Sequence, residues 1–297
     1  MRSSLRFHTP IDLRLTLGPL LRGRGDLTMQ FEGGAVRRAM RTPQGPAQVR
    51  LQPVGNTIEA DVWGPGARWT LDALPDLLGA GDDPESFRPH HRVVHELHRR
   101  ARGMRLTRCP TVCDILVPTI LEQKVTTIEA CRAYRAVVMA LGEPAPGPPG
   151  LHLPPTAHTL AVTPYFEWHR FGVERRRAEM IRGACGRAQA LERLVALSPA
   201  EAQRRLMSLP GVGPWTAAEV GRIALGDRDA VRVGDFHLPH LVSWVLAGEP
   251  RSDDARMMQL LEPYRGERAR AVRLIELSGL RPSRRAPRQR LRSIARL

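Results

Sequence analysis

Apolar positions along this chain follow two periods, and the change from one to the other divides it. From Ile11 to about Leu71 the pattern is short and strand-like: Ile11-Asp12-Leu13-Arg14-Leu15 alternates with period two, as does the stretch from Thr57 to Trp63. Gly33-Gly34, Gly45-Pro46 and Gly64-Pro65-Gly66 punctuate it, so an antiparallel sheet is expected. Asp82-Asp83-Pro84 marks a boundary, and a helix is expected from about Pro89 to Arg102. After Cys109 the period becomes helical, with Val112, Ile115, Leu116, Ile120 and Leu121 forming a core-facing stripe. Residues 143–155 hold six prolines and must form a loop or stiff linker, read as an insertion between helices of one domain. Helices resume near Pro164, and the Arg175-Arg176-Arg177 run lies at a helix start. The fold class is α+β: an N-terminal α+β sheet domain over 1–87, a mainly helical domain over 88–280, and a basic C-terminal arm over 281–297.

The sharpest local signal is Leu209-Pro210-Gly211-Val212-Gly213-Pro214-Trp215-Thr216-Ala217, with Gly234-Asp235 about one helix later. Ser198-Pro199-Ala200-Glu201 reads as a capping box with proline at the first helical position, so a helix starts at Pro199. Ala202, Leu206 and Leu209 are its apolar face, and Pro210-Gly211 stops it. A second helix begins at Pro214, buries Ala217, Val220 and Ala224, and ends at Gly226. A glycine-lined hairpin leaves backbone amides open to an approaching phosphate oxygen, although Pro-Gly-x-Gly is also an ordinary turn.

Charge sharpens that choice. A net charge of +15 and a pI near 11.2 call for a polyanionic partner, nucleic acid or an anionic membrane surface, and the hairpin favours nucleic acid. Residues 281–297 alone carry seven arginines and no acid, the composition of an arm that engages nucleic acid. No apolar run approaches the length of a membrane span, and the first 17 residues lack a secretory core. Cys109, Cys113, Cys131 and Cys185 are few and scattered, as in a reducing cytoplasm, and Cys109 with Cys113 reads as a buried thiol pair. His91, His95 and His98 share a helix face, but nothing at metal-motif spacing completes a set, so a solvated basic face is expected and no metal site.

The hairpin segment together with Val233-Gly234-Asp235 resembles the helix-hairpin-helix DNA glycosylases, and within them the 3-methyladenine DNA glycosylase II branch, which removes alkylated bases. Ile120 to Val125 and Phe171 to Ala178 also look like family segments, and the resemblance is strong from about Met104 to Gly279 and looser before it. It implies an N-terminal α+β domain with a curved sheet, and a hairpin (Leu209, Gly211, Val212, Gly213, Thr216) that grips the DNA backbone. Asp235 matches the family's catalytic aspartate. Some relatives carry an iron–sulfur cluster after the catalytic helix; with no cysteine beyond Cys185 none is expected here, and no other cofactor, although a monovalent cation at the hairpin is compatible with the motif.

Asp235 also stands where an N-cap belongs, and the two roles agree: capping keeps the carboxylate ionised, and an ionised carboxylate can stabilise oxocarbenium character at the sugar. Members of the superfamily that also cut the strand place a Schiff-base lysine in this hairpin; here Trp215 stands there, which implies a monofunctional enzyme leaving an abasic site. Trp215 either packs between hairpin and core or lines a pocket for a cationic base. Glu219 replaces a pocket tyrosine, and either attracts a cationic base or pairs with Arg222 on the helix surface. Lys124 replaces an apolar wedge on what reads as a helix; Gln123 is expected to hydrogen-bond the orphaned base and Lys124 to reach phosphate. The expected activity is excision of alkylated purines of the 3-methyladenine or 7-methylguanine type from damaged double-stranded DNA, by a monomeric, cytoplasmic, nucleoid-associated protein with no membrane partner. The alternatives are a non-catalytic damage-binding or regulatory protein on the same fold, and a glycosylase for another damaged base.

Overall fold

The computed structural model describes residues 1–282, so all but the first two positions of the expected arginine arm lie outside the described residues. Five antiparallel strands form the N-terminal sheet: β1 (Arg2–Arg6), β2 (Met29–Glu32), β3 (Ala35–Thr42), β4 (Gly45–Val54) and β5 (Thr57–Trp63), in the order β1-β5-β4-β3-β2. Alternation along β4 and β5 places Val49 opposite Val62 and Leu51 opposite Ala60, all buried. The expected antiparallel sheet is therefore present, with two differences in its elements. Arg2–Arg6 is an unforeseen edge strand, and Ile11–Leu15 is not a strand: α1 spans Leu13–Leu17. Asp12 accepts from the Leu15 amide at 2.9 Å, and Leu13, Thr16 and Leu17 bury one helical face, so the cap and the spacing i, i+3, i+4 override the alternation.

Helix α2 (Ala67–Leu77) packs on β4 and β5, so the strand-like region ends before Leu71. Then follow α3 (Arg92–Arg100), α4 (Val112–Leu121) and α5 (Thr127–Leu141). All five stripe residues of α4 are buried. Beyond the proline-rich segment come α6 (Ala157–Val162), α7 (Tyr165–Arg170), α8 (Arg175–Cys185) and α9 (Ala188–Glu192). The chain continues with α10 (Pro199–Met207), α11 (Pro214–Val220), α12 (Leu238–Ala247), α13 (Asp254–Leu261) and α14 (Arg268–Leu277). None of the described helices is long and apolar enough to cross a membrane.

Two hydrophobic cores result. The larger joins the sheet to the helices from α4 through α11, from Phe7 to Leu225; the smaller gathers Phe87, Val94 and Met104 with α12, α13 and α14. The proline-rich segment is docked rather than free. β6 (Glu143–Pro144) and β7 (His152–Leu153) pair with each other, and Leu151 and Leu153 pack on Ala39 of β3. Arg41 Nε donates to the Pro154 carbonyl at 2.6 Å, Arg37 Nη1 to Pro149 at 2.9 Å and Gln48 Nε2 to Pro148 at 3.1 Å, so the segment straps the helical part to the sheet.

Candidate active site

Proline and glycine build the hairpin as the sequence implies. Ser198 Oγ accepts from the Glu201 amide at 3.3 Å, but the reciprocal half of the capping box is replaced by ion pairs of Glu201 with Arg204 and Arg205. α10 buries Ala202 and Leu206 and stops before Pro210. Gly211 has φ +82°, and a Cβ there would lie 2.5 Å from Met180 Sδ, so the position admits only glycine without rearrangement. Gly213 is extended, and a Cβ there would meet nothing within 4 Å: its face of the hairpin is open. Val212 and Thr216 are buried and Leu209 half-buried, so these residues present backbone rather than side chain to a ligand. α11 starts at Pro214 and passes through a wider turn before the left-handed Gly226 ends it.

Asp235 lies on the short connection into α12. Its Oδ1 accepts from the amides of His237 (2.8 Å) and Leu238 (2.9 Å), and its Oδ2 accepts from Trp215 Nε1 at 2.8 Å. Asp235 is not itself the N-cap, which is His237, but its carboxylate takes the two amides at the entry to α12, so the helix start and the hairpin meet on it. Burial opposes its ionisation, but Arg232, the Trp215 donor and the two amides outweigh burial and hold it below the ordinary aspartate value. Trp215 is half-buried, with its indole edge committed to Asp235. Next to them Phe236 is 80 % exposed and sits edge-on to His237 and His240.

Glu219 is 3 % exposed, not on the surface, and both its oxygens are engaged: Arg222 donates through Nε (2.7 Å) and Nη2 (2.6 Å), and Arg232 approaches to 3.5 Å. Burial pushes its pKa up, but Arg222 and Arg232 prevail and bring it down to about 2. Of the two readings left open by the sequence, pairing with Arg222 is the one the geometry has, in the interior. Arg232 also pairs with Glu276, so a charged cluster underlies Asp235. The short-range Glu219–Arg222 spacing was visible in the sequence; the partnership with Arg232 and Glu276 was not.

Gln123 and Lys124 lie on a turn between α4 and α5, not on a helix. Gln123 Nε2 donates to Thr216 Oγ1 at 2.8 Å and to the Gly211 carbonyl at 3.3 Å, so its amide is tied to the hairpin instead of being free for a base. Lys124 is exposed, with φ +56°, the only positive φ of a non-glycine among the described residues. Left-handed backbone at such a residue costs about 1–3 kcal/mol, and persists only where neighbours enforce it. They do so here. Arg177 donates to the Leu121 carbonyl at 2.8 Å, Arg22 pairs with Glu122 at 3.2 Å, and Thr126 with Glu129 forms a capping box at the start of α5. Arg177 is therefore a buried structural residue, whereas Arg175 and Arg176 are exposed at the start of α8 as expected.

The remaining candidates fall away from this centre. His91 stacks on Tyr264 with its ring nitrogen 2.7 Å from the hydroxyl, and His98 meets Phe87 edge-on, so these two histidines pack instead of forming a solvated face. Among the described residues no cluster of histidine, cysteine and carboxylate side chains could hold a metal ion. Cys109 is buried against Arg38 (3.3 Å), while half-buried Cys113 lines a cavity of about 570 Å³ with Cys185, so of the expected buried thiol pair only Cys109 is fully buried. That cavity also holds Asp114, whose pKa burial raises to about 6; a second cleft of about 1270 Å³ lies between the sheet domain and α3. Neither is lined by Asp235 or the hairpin.

No family model matches the chain. It is 29 % identical over 228 residues to the probable bifunctional transcriptional activator/DNA repair enzyme AlkA of Mycobacterium tuberculosis. The match takes in 70 % of this chain and 44 % of the relative, so the chain spans less than half the length of the curated protein it resembles. Among solved structures, the 3-methyladenine DNA glycosylase from Archaeoglobus fulgidus superposes with a TM-score of 0.77 at 20 % identity, covering 94 % of this chain and all of that one. The 8-oxoguanine glycosylase/lyase of Clostridium acetobutylicum, in complex with double-stranded DNA, gives 0.70 at 13 % identity, covering 92 % and 96 %. The chain is homologous to AlkA and has the fold of the helix-hairpin-helix DNA glycosylases.

Proposed function

We propose that this chain is a DNA glycosylase that binds duplex DNA through the hairpin, draws a damaged base out of the stack and releases it by hydrolysis. The observation that carries the reading is the Asp235 carboxylate, kept ionised by Trp215 Nε1, two backbone amides and Arg232 at the edge of the hairpin. As the glycosidic bond breaks, positive charge grows on the sugar, and a fixed carboxylate needs no reorganisation to meet it. Water completes the bond exchange, since Trp215 gives the hairpin no amine to do so. Extrusion of the base is a geometric necessity, because its glycosidic bond is inaccessible within the stack.

The substrate class we infer is the alkylated purines. A methyl group on ring nitrogen makes the base cationic and a good leaving group, so a carboxylate without a partnering acid suffices. The sequence match to AlkA, a protein named as a probable DNA repair enzyme, supports a repair role, and the choice of alkylated over oxidised purines rests on the leaving-group argument. The chain acts as a monomer at the nucleoid, without a cofactor. Duplexes carrying either methylated purines or 8-oxoguanine, incubated with the protein and analysed for free base by chromatography, test the reading. Release of methylpurines alone is expected. Release of 8-oxoguanine instead transfers the enzyme to oxidative damage, and binding without release makes the chain a damage-binding protein.

A further inference from the structure

The hairpin has no amine, but the turn beside it does. Of the 45 lysine and arginine residues in the chain, Lys124 is the one lysine. Every other residue of that set is arginine, which binds phosphate at least as well as lysine does. What arginine cannot do is condense with a carbonyl, because its guanidinium stays protonated in proteins. A lysine amine forms a Schiff base readily. The one side chain with that capability is exposed at the tip of a turn held in a left-handed conformation.

Its placement is fixed on both sides. Arg177 on the Leu121 carbonyl and Arg22 on Glu122 secure the approach, and the Thr126–Glu129 box secures the exit. Gln123, the residue before it, bonds Thr216 at 2.8 Å; the residue before Thr216 is Trp215, which bonds Asp235 at 2.8 Å. One continuous set of contacts therefore links the amine-bearing turn to the carboxylate at which base release is placed. The other primary amine, that of Met1, donates to the Val62 carbonyl at 2.6 Å at the edge of the sheet.

We propose that Lys124 is a nucleophile toward the abasic site, giving the chain a strand-cleaving activity that follows base release. The neutral amine adds to the C1′ aldehyde of the opened sugar, and loss of water leaves an imine. Transfer of a C2′ proton to solvent then expels the 3′ phosphate as the C3′–O bond breaks. Hydrolysis of the imine frees the lysine and the unsaturated sugar end. The step uses no oxidant or reductant, and it rests on the proposed function only in taking that reaction's product as its substrate.

The test supplies that product ready-made. A duplex with a single preformed abasic site is incubated with the full chain, with and without sodium borohydride, at protein concentrations that saturate the DNA. A covalent complex is expected with borohydride, mapped to Lys124 by mass spectrometry, and a cleaved strand without it. Lys124→Arg, which keeps the charge and is checked for folding by its thermal melt, should lose trapping at least about tenfold at saturation. No complex from wild type, equal trapping by Lys124→Arg, or an adduct on Met1 overturns the proposal. Base release from a methylated duplex is scored separately. Release without trapping leaves the glycosylase reading standing and removes the lysine step, whereas trapping without release does the reverse.

Discussion

Asp235→Asn tests the electrostatic core of the proposed mechanism. The substitution changes almost no volume, so its effects come from charge and hydrogen bonding. At a separation near 4 Å and an effective dielectric near 20, a carboxylate and a full positive charge attract by about 4 kcal/mol. Lost from the transition state, that energy lowers the rate about a thousandfold. The variant also meets a bonding conflict. With its oxygen kept toward the His237 and Leu238 amides, its NH₂ faces the Trp215 N–H; turned round, it faces two amides instead. The half-buried Trp215 N–H goes unpaired in the better orientation, at about 1 kcal/mol of stability, which lowers the melting temperature by a few degrees. Single-turnover release from a methylated duplex at saturating protein reads the first quantity, and a thermal melt reads the second. A rate within tenfold of wild type would refute the electrostatic role, and an unchanged melt would refute the Trp215–Asp235 bond as a stabilising contact.

Three further outcomes follow from the same geometry. Glu219→Gln should lower stability by about 3 kcal/mol, measured by denaturant titration, because it leaves Arg222 without its carboxylate and Arg232 with Glu276 alone. Since Glu219 titrates at about 2 in the fold and near 4.3 when unfolded, its contribution is complete above about pH 4.3 and fades as the pH falls toward 2; wild type should lose stability over that window more steeply than the variant. Gly211→Ala combines a positive φ with a clash on Met180, so duplex affinity should fall along with the melting temperature, and a variant that binds normally would mean the hairpin tip is not the contact. Gln123→Ala and Thr216→Val each remove the same hydrogen bond, so their losses in duplex affinity should not add in the double variant; additive losses would put Gln123 on the DNA itself.

The hairpin was legible because its signals are local. Proline and glycine act through the dihedrals of their own positions, so Pro199, Gly211, Pro214 and Gly226 mark their boundaries without reference to the rest of the chain. Asp235 was legible through the resemblance carried by Val233-Gly234-Asp235, whereas its local reading as a cap missed by two residues, since α12 takes His237 as its N-cap. Local signals failed where two of them competed. At Ile11–Leu15 alternation suggested a strand, but the Asp12 cap and burial of Leu13, Thr16 and Leu17 made a helix. Tertiary partners had no sequence signal at all: Gln123 finds Thr216 93 residues away, and Arg177 finds the Leu121 carbonyl 56 residues back. Prolines in 143–155 correctly excluded long regular structure but carried no information about docking, which depends on Arg37, Arg41 and Gln48 of the sheet.

The two hydrophobic cores give the Trp215–Asp235 bond a mechanical meaning. The hairpin is anchored in the larger core through Val212 and Ala217, whereas the loop bearing Asp235 is anchored in the smaller one through Val231 and Leu238. The bond therefore joins elements of the two cores, and the stretch from Gly226 to Asp235 that runs between them is itself tied to both, Asp227 accepting from Gln203 of α10 and Asp229 from the Gly266 amide. A rotation that separates the cores by one ångström stretches a 2.8 Å contact beyond useful hydrogen-bonding distance, frees the indole and removes one of the groups holding the carboxylate. On the proposed function, DNA held at the hairpin and presented to Asp235 loads both sides of that contact. Assembly of the charged centre therefore depends on contacts from both cores at once, and a loss of packing in either one loosens the carboxylate.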